Sequence, residues 1–368
     1  VAVRQRAVEG LGVSGMDALA RAFHGRRVFV TGHTGFKGAW LCLFLARLGA
    51  RVTGYALAPS GTPSMFELAR VGETLERHHL ADVRDQAALT AAMAGAAPEL
   101  VLHLAAQALV RHSYADPVAT WSTNVMGTVH LLEAVRACPD VRAALVVTTD
   151  KCYENQDWPW GYRENDRLGG HDPYSASKAG AELVAHSYRS SFFAGGGPLI
   201  ASARAGNVIG GGDWSADRLI PDAVRAMQQG GALPVRSPNA TRPWQHVLEP
   251  LHGYLLLAAR LLEGDATCAG PWNFGPDAAD NLPVATLLNG LQAHWPQLAW
   301  RHDGAQHAAK EAALLYLDSS KARQQLGWQV RWPLPIGIER TAAWYAACAR
   351  GSVDMRAFTE QQLDHFCA

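Results

Sequence analysis

Arg27-Val-Phe-Val-Thr-Gly-His-Thr-Gly-Phe-Lys-Gly-Ala-Trp40 decides the fold. A short run rich in β-branched and aromatic residues ends at Thr31, and a run of helical character extends from Ala39 to Gly49. Between them Gly32, Gly35 and Gly38 stand at G-x-x-G-x-x-G spacing. Glycines there permit a tight turn and let the backbone approach a pyrophosphate, while the helix N-terminus supplies amide donors and a favourable dipole. Glycine spacing alone is weak; the strand–turn–helix context makes a dinucleotide site the expectation. Phe36 lies in the same turn as a further candidate contact, as do His33 and Lys37, which read equally well as facing solvent.

Outward from that turn, Arg51–Tyr55, a short extended segment before Asp82, Leu100–Leu104, Ala144–Thr148 and Leu199–Ala203 read as further strands. Helical stretches at Asp85–Ala94, Val118–Ala137 and Asp172–Phe193 separate most of them. This alternation predicts an α/β fold, a doubly wound parallel sheet of Rossmann type, with right-handed crossovers. After Gly206 the texture shifts to Gly, Pro, Asn and Trp, and of the 12 Trp only Trp40, Trp121, Trp158 and Trp160 precede that point. The expected organisation is an N-terminal extension (1–22), a dinucleotide-binding domain (23–205) and a smaller C-terminal substrate-binding domain (206–368), with 250–262 returning to the first. Roughly the first 20 residues are expected to be poorly ordered or dispensable.

Within this frame Asp82, with Val83 beside it, reads either as an acceptor for an adenine amino group or as a helix cap. Leu104, Ala105, Ala106 and Gln107 end the fourth strand where a cofactor would lie. The second strand ends in Tyr55-Ala-Leu-Ala-Pro59, with neither a carboxylate for the ribose hydroxyls of NAD nor a cation for a 2′-phosphate. NAD is the expected cofactor; the sequence alone leaves NADP open.

Composition narrows the field. The 368 residues carry 33 Lys+Arg and 33 Asp+Glu, so no overall field favours nucleic acid or an anionic membrane. The six cysteines form no C-x-x-C pair and no His/Cys spacing resembles a zinc site, so free thiols in a reducing cytoplasm and no metal are expected. No apolar stretch is long enough to span a bilayer.

The chemistry is concentrated in Thr148-Thr149-Asp150-Lys151 and Tyr174-Ser-Ala-Ser-Lys178. Tyr174 and Lys178, four apart, share one helix face. A nearby ammonium lowers a phenol's pKa, so Tyr174 is a candidate to take a hydroxyl proton as hydride leaves the carbinol carbon. The Asp150-Lys151 pair adds a second chemistry, proton abstraction and loss of water.

Six segments, Thr31–Gly38, His103–Gln107, Thr148–Asn155, Gly169–Lys178, Arg204–Trp214 and Thr241–Pro250, carry a resemblance. The chain resembles the extended short-chain dehydrogenase/reductase superfamily and, within it, the CDP-glucose 4,6-dehydratase family, from about residue 23 to 345. Asp-Lys is the discriminating pair, since the related dTDP-glucose dehydratases carry Asp-Glu there and epimerases lack the acid pair. The resemblance implies transient oxidation at sugar carbon 4, loss of the carbon 5 proton and the carbon 6 hydroxyl as water, and hydride return to carbon 6 with NAD regenerated.

On that reading Thr149 (or Thr148) bonds the carbon 4 oxygen beside Tyr174, and Lys178 also holds the nicotinamide ribose. Asp150 must be protonated to act as acid, a state that burial favours and Lys151 opposes. Lys151 is either the carbon 5 base or an electrostatic clamp for the enolate. Arg236 and Arg242 suit a diphosphate; Asn207 bridges cofactor and substrate phosphate; Trp214 and Arg218 border the nucleotide. A homodimer through the helices 118–137 and 172–193 is expected on resemblance. The alternatives are another nucleotide-sugar dehydratase or 4-epimerase, and a non-catalytic cofactor-binding protein.

Overall fold

The computed structural model describes residues 15–303 and 314–368. Seven parallel strands form the central sheet: β1 (Arg27–Thr31), β2 (Arg51–Ala56), β3 (Arg77–Leu80), β4 (Leu100–His103), β5 (Ala143–Val147), β6 (Leu199–Ala205) and β7 (Pro271–Phe274). Their order is β7-β6-β5-β4-β1-β2-β3, with β1 paired in register to β2 on one side and β4 on the other. The chain therefore reverses direction across the sheet between β1 and β4, which opens a crevice at their carboxyl ends.

Both faces of the sheet are apolar, as a parallel sheet covered by helices requires. Val28, Val30, Leu100, Leu102 and Leu145 point to one core, which includes residues of the helices Phe36–Arg47 and Leu248–Leu262. Phe29, Val101, Ala144 and Ile200 point to the other, with residues of Gln86–Ala96 and Gly127–Ala137. The two-residue alternation of the strands thus feeds two separate cores.

Several expectations are corrected. Gly15–Phe23 is a helix that buries Met16, Leu19 and Phe23, so the predicted disorder fails for residues 15–20; residues 1–14 lie outside the described residues. The continuous helix 118–137 is instead Pro117–Trp121, a π-helical turn at Ser122–Met126, and Gly127–Ala137. The strand β7 was not foreseen, because Pro271-Trp-Asn-Phe274 is short and opens with proline, which a strand tolerates at its first residue or on a sheet edge, and β7 meets both conditions.

Beyond β6 the chain forms helices and two-stranded pairings, such as Thr241–Pro243 with Asn281–Pro283. The helix Leu334–Ala349 presses Trp344 on the glycine run so closely that a Cβ on Gly211 would lie 1.9 Å from the indole. Trp40 donates to the Gly211 carbonyl at 2.9 Å from the other side. The turn carrying Asp213 and Trp214 is fixed by this contact. No helix among the described residues is long and apolar enough to cross a membrane.

Candidate active site

The glycine turn lies at the β1/β4 crevice. Gly32 has φ +76°, and a Cβ there would meet the Ala105 backbone nitrogen at 2.7 Å. Gly38 is tighter still, with a Cβ 2.0 Å from the Gly32 carbonyl oxygen. Gly35 is the N-cap of the helix Phe36–Arg47, yet no side chain caps that terminus and its first turn holds no acid. A helix end left open in this way suits an anionic group. The donor set and the shape of the turn fit the diphosphate of a dinucleotide.

His33 is fully buried rather than solvent-facing. A Cβ on Gly54 would meet its ring at 2.5 Å, and Phe66 and His78 stand edge-on to it. Burial, then the charge of His78, pushes its pKa down to about 4. Lys37 also turns inward: its ammonium lies 5.9 Å from the Tyr254 ring centroid. Burial and then Arg218 bring its pKa down to about 7, against the pull of Asp150. Phe36 packs on the larger core.

Asp82 is not the helix cap. Asp85 is, accepting from the Ala88 amide at 2.9 Å, while Asp82 takes the Arg84 guanidinium at 2.6 Å. Val83 is buried against Gly127. Ala105 donates its amide to Thr31 Oγ1 at 3.2 Å; Leu104 packs on the core and Ala106 follows in the same loop. The Gln107 amide group is used within the loop, on Leu109 and Thr120. Asn124, absent from the sequence reading, staples that loop: it accepts from the Gln107 amide at 2.8 Å, donates to its carbonyl at 3.0 Å, and donates to Ser177 at 2.8 Å. No local pattern marks it, since the π-helical turn that presents it appears only in the structure.

Past β5, Thr149 caps a short turn over Asp150–Cys152. Asp150 is 1% exposed. Its Oδ1 accepts from Thr149 Oγ1 at 3.0 Å, and its Oδ2 has no hydrogen-bond partner among the described residues. A Cβ on Gly206 would come within 2.9 Å of that oxygen. Burial raises the Asp150 pKa and prevails over Lys151, Thr149, Arg242 and Lys37, all of which pull it down. Burial thus opposes Lys151 at this carboxyl and shifts the balance toward the acid form.

Tyr174 and Lys178 lie on the helix Pro173–Ser191, started by Asp172 as cap. Burial pushes the Tyr174 phenol up to about 12, while hydrogen bonding with Thr149 and the charge of Arg218 act the other way. This departs from the expectation that Lys178 sets the phenol's acidity. Lys178 donates to the Val147 carbonyl at 3.2 Å, and burial lowers its own pKa to about 8 against the upward pull of Glu182. Tyr254, also unforeseen, brings a buried hydroxyl without a hydrogen-bond partner among the described residues into the electrostatic field of Tyr174 and Asp150.

The substrate candidates divide. Arg242 is buried, donates to the Thr241 carbonyl at 2.7 Å and acts electrostatically on Asp150; Arg218 acts on Tyr174 and Lys37. Asn207 follows Gly206, and its carbonyl accepts from the Gln245 amide at 3.3 Å. Trp214 stands edge-on to Tyr345, 5.3 Å between centroids. Arg236 follows the strand Ala232–Val235 and is half-buried. Among the described residues no three His, Cys, Asp or Glu converge as metal ligands.

Residues 29–274 match the family described as GDP-mannose 4,6 dehydratase. The chain is 48% identical over 350 residues to the CDP-glucose 4,6-dehydratase of Salmonella typhimurium, covering 94% of this chain and 97% of that enzyme. Among solved structures, the dTDP-glucose 4,6-dehydratase of Streptomyces venezuelae with NAD bound superposes with TM-score 0.72 at 25% identity, covering 87% and 97% of the two chains. The UDP-glucose 4-epimerase of Stenotrophomonas maltophila has the same fold, with TM-score 0.76 at 22% identity over 89% of this chain and all of that one.

Proposed function

The chain belongs to the GDP-mannose 4,6 dehydratase family, and from that premise we propose that it is a hydro-lyase converting CDP-glucose to CDP-4-keto-6-deoxyglucose. The observation that carries the reading is the buried Asp150 carboxyl, its pKa raised and one oxygen bare, in the electrostatic field it shares with Tyr174. An epimerase has no use for a protonated acid at this point. A dehydratase needs one to protonate a departing hydroxyl.

NAD is the cofactor, and it would supply the acceptor and later the donor of hydride. The residues proposed to hold it are Gly32, His33, Gly35, Phe36, Lys37, Gly38, Asp82, Val83, Leu104, Ala105, Ala106 and Gln107, with Tyr174 and Lys178 at the reacting end. Tyr174 takes the carbon 4 hydroxyl proton, and Thr149 orients the oxygen. The resulting ketone acidifies carbon 5. Asp150 delivers its proton to the carbon 6 hydroxyl, which leaves as water. Lys151 serves as the carbon 5 base or as the clamp for the enolate. Asn207, Trp214, Arg218, Arg236 and Arg242 take the nucleotide diphosphate.

The proposed division is 1–22, 23–205 and 206–368, with helix 250–262 returning to the first domain. A cytoplasmic homodimer is proposed through the helices 117–137 and 173–191. Exposed Val118, Trp121, Met126 and Leu183 on those helices support it; light scattering that reports a monomer refutes it. The test of the reaction is CDP-glucose deuterated at carbon 4. Deuterium recovered at carbon 6, without net reduced NAD, is expected; release of label to solvent or no turnover overturns the reading.

A further inference from the structure

We propose that Glu182 is a positioning residue for this reaction: a buried carboxylate that clamps the strand end carrying Thr149, Asp150 and Lys151 and shares the buried helix face of Lys178. The proposal rests on the role given to Lys178 above.

Lys178 and Glu182 are four apart on one helix, hence on one face. They are 7% and 3% exposed. The carboxylate of Glu182 is saturated from behind the site. Thr148 donates to Oε1, while Ser202 and Arg204 donate to Oε2 at 2.7 and 2.8 Å. Thr148 is the residue before Thr149. Ser202 and Arg204 lie on β6, which runs into the Gly206 that abuts Asp150. The other nitrogen of Arg204 donates to the Tyr153 hydroxyl at 2.7 Å and to the Glu164 carbonyl at 3.0 Å, and Tyr153 donates to Asn273 at 2.8 Å. One ion pair therefore holds both ends of the segment 148–153.

Packing alone does not call for charge here, since apolar replacements of buried ion pairs are often neutral or stabilising. Lys178 supplies a reason. Burial drives it toward the neutral amine, and Glu182 is the carboxylate that opposes this. The other charged or titratable groups around the two are Cys152 on the turn, His103 on β4, Lys37 from the glycine turn, Arg204 and Tyr153 behind, and Arg189 further along the helix. Asp150, on the turn with Cys152, is a further carboxyl in this group; Glu182 is the one that acts on Lys178 directly.

The experiment uses the full chain with lysine carbon-13 labelled at the ε position, the Lys178 resonance being assigned with Lys178→Arg. Its titration is followed without substrate, and the pH profile of CDP-glucose turnover is then measured. Glu182→Gln is expected to lower the Lys178 midpoint by about one pH unit, a tenfold change in its protonation equilibrium, and to move the alkaline limb of kcat the same way. Glu182→Gln combined with Arg204→Met leaves no guanidinium unpaired and covers the case in which the single variant does not fold; it must show the same lowering. Arg204→Met alone is expected to leave the midpoint in place or raise it. Unchanged midpoints in both Glu182 variants, with kcat falling equally at every pH, overturn the proposal. So does a lowered midpoint in Arg204→Met alone. A wild-type protein that does not turn over CDP-glucose defeats the functional reading instead and leaves the Lys178 midpoints to be read separately.

Discussion

Asp150 and Glu182 are both buried, at 1% and 3% exposure, on opposite sides of one strand end, and their acidities move in opposite directions. Glu182 accepts from three side chains, one of them a guanidinium, and its pKa is lowered although burial alone raises it. Asp150 accepts from one hydroxyl and leaves an oxygen bare, and its pKa is raised although four neighbours pull it down. The number of donors, more than the degree of burial, decides which carboxylate is a fixed anion and which is an acid. Function sits on the side where hydrogen bonding is incomplete, and the side where it is complete supplies the rigidity.

The largest expected effect separates the two sides chemically. Asp150→Asn keeps the shape but holds no transferable proton. Formation of the 4-keto-6-deoxy product is expected to fall about a thousandfold, within the usual range for general acid catalysis. Oxidation at carbon 4 should survive, visible as reduced nicotinamide absorbance held on the enzyme. Loss of that absorbance together with the product would mean that Asp150 serves the first step as well, and the contrast drawn here would fail.

The second test strikes the rigid side. Arg204→Met leaves the Glu182 charge buried without its main counter-ion, and such a break is expected to cost ~3 kcal/mol of folding stability, read from denaturant midpoints at unchanged m-value. A surface pair such as Arg51–Glu76, at 54% and 36% side-chain exposure, is the control and should leave the denaturant midpoint nearly unchanged when broken. A smaller effect is expected between the two sides. Gly206→Ala places a methyl 2.6 Å from the Pro243 ring and 2.9 Å from Asp150 Oδ2, so the carboxyl must shift. A tenfold loss in kcat, roughly 1.4 kcal/mol, is expected, with substrate affinity nearly kept.

The two sides were not equally legible in the sequence. The glycine turn, Asp150, Tyr174 and Lys178 could be read because each belongs to a short local pattern whose spacing implies its geometry. Glu182 and Arg204 could not, although Glu182 follows Lys178 by a single helical turn. An acid on a helix is ordinarily a solvated residue, and only the return of β6 beside β5 brings Ser202 and Arg204 to it. Asn124 escaped for the same reason, its partner Ser177 being distant in the chain, and so did Tyr254, whose neighbours Tyr174 and Asp150 are too. The sequence left His33 open between cofactor and solvent because its burial depends on Gly54 in the neighbouring strand, where the missing side chain makes room for the ring. Local pattern reveals the groups that do chemistry; long-range contacts set their protonation.

The smallest effect is the most direct check of that last point, because it needs no substrate. An acid with a raised native pKa gives up its proton first in the unfolded chain. Asp150 thus lowers stability as pH rises from the ordinary aspartate value toward its native one, and the penalty is constant above that. Glu182, with a lowered native pKa, contributes stability that is complete above the ordinary glutamate value and is lost as pH falls through its native one. Asp150→Asn should therefore match the wild type's pH dependence below the ordinary aspartate value and gain on it progressively above, read as Tm across a pH series. Glu182→Gln should do the reverse, flattening the acid limb. Parallel wild-type and Asp150→Asn curves would mean that the carboxyl is ionised in the native state, and an ionised carboxylate has no proton to give to a leaving hydroxyl.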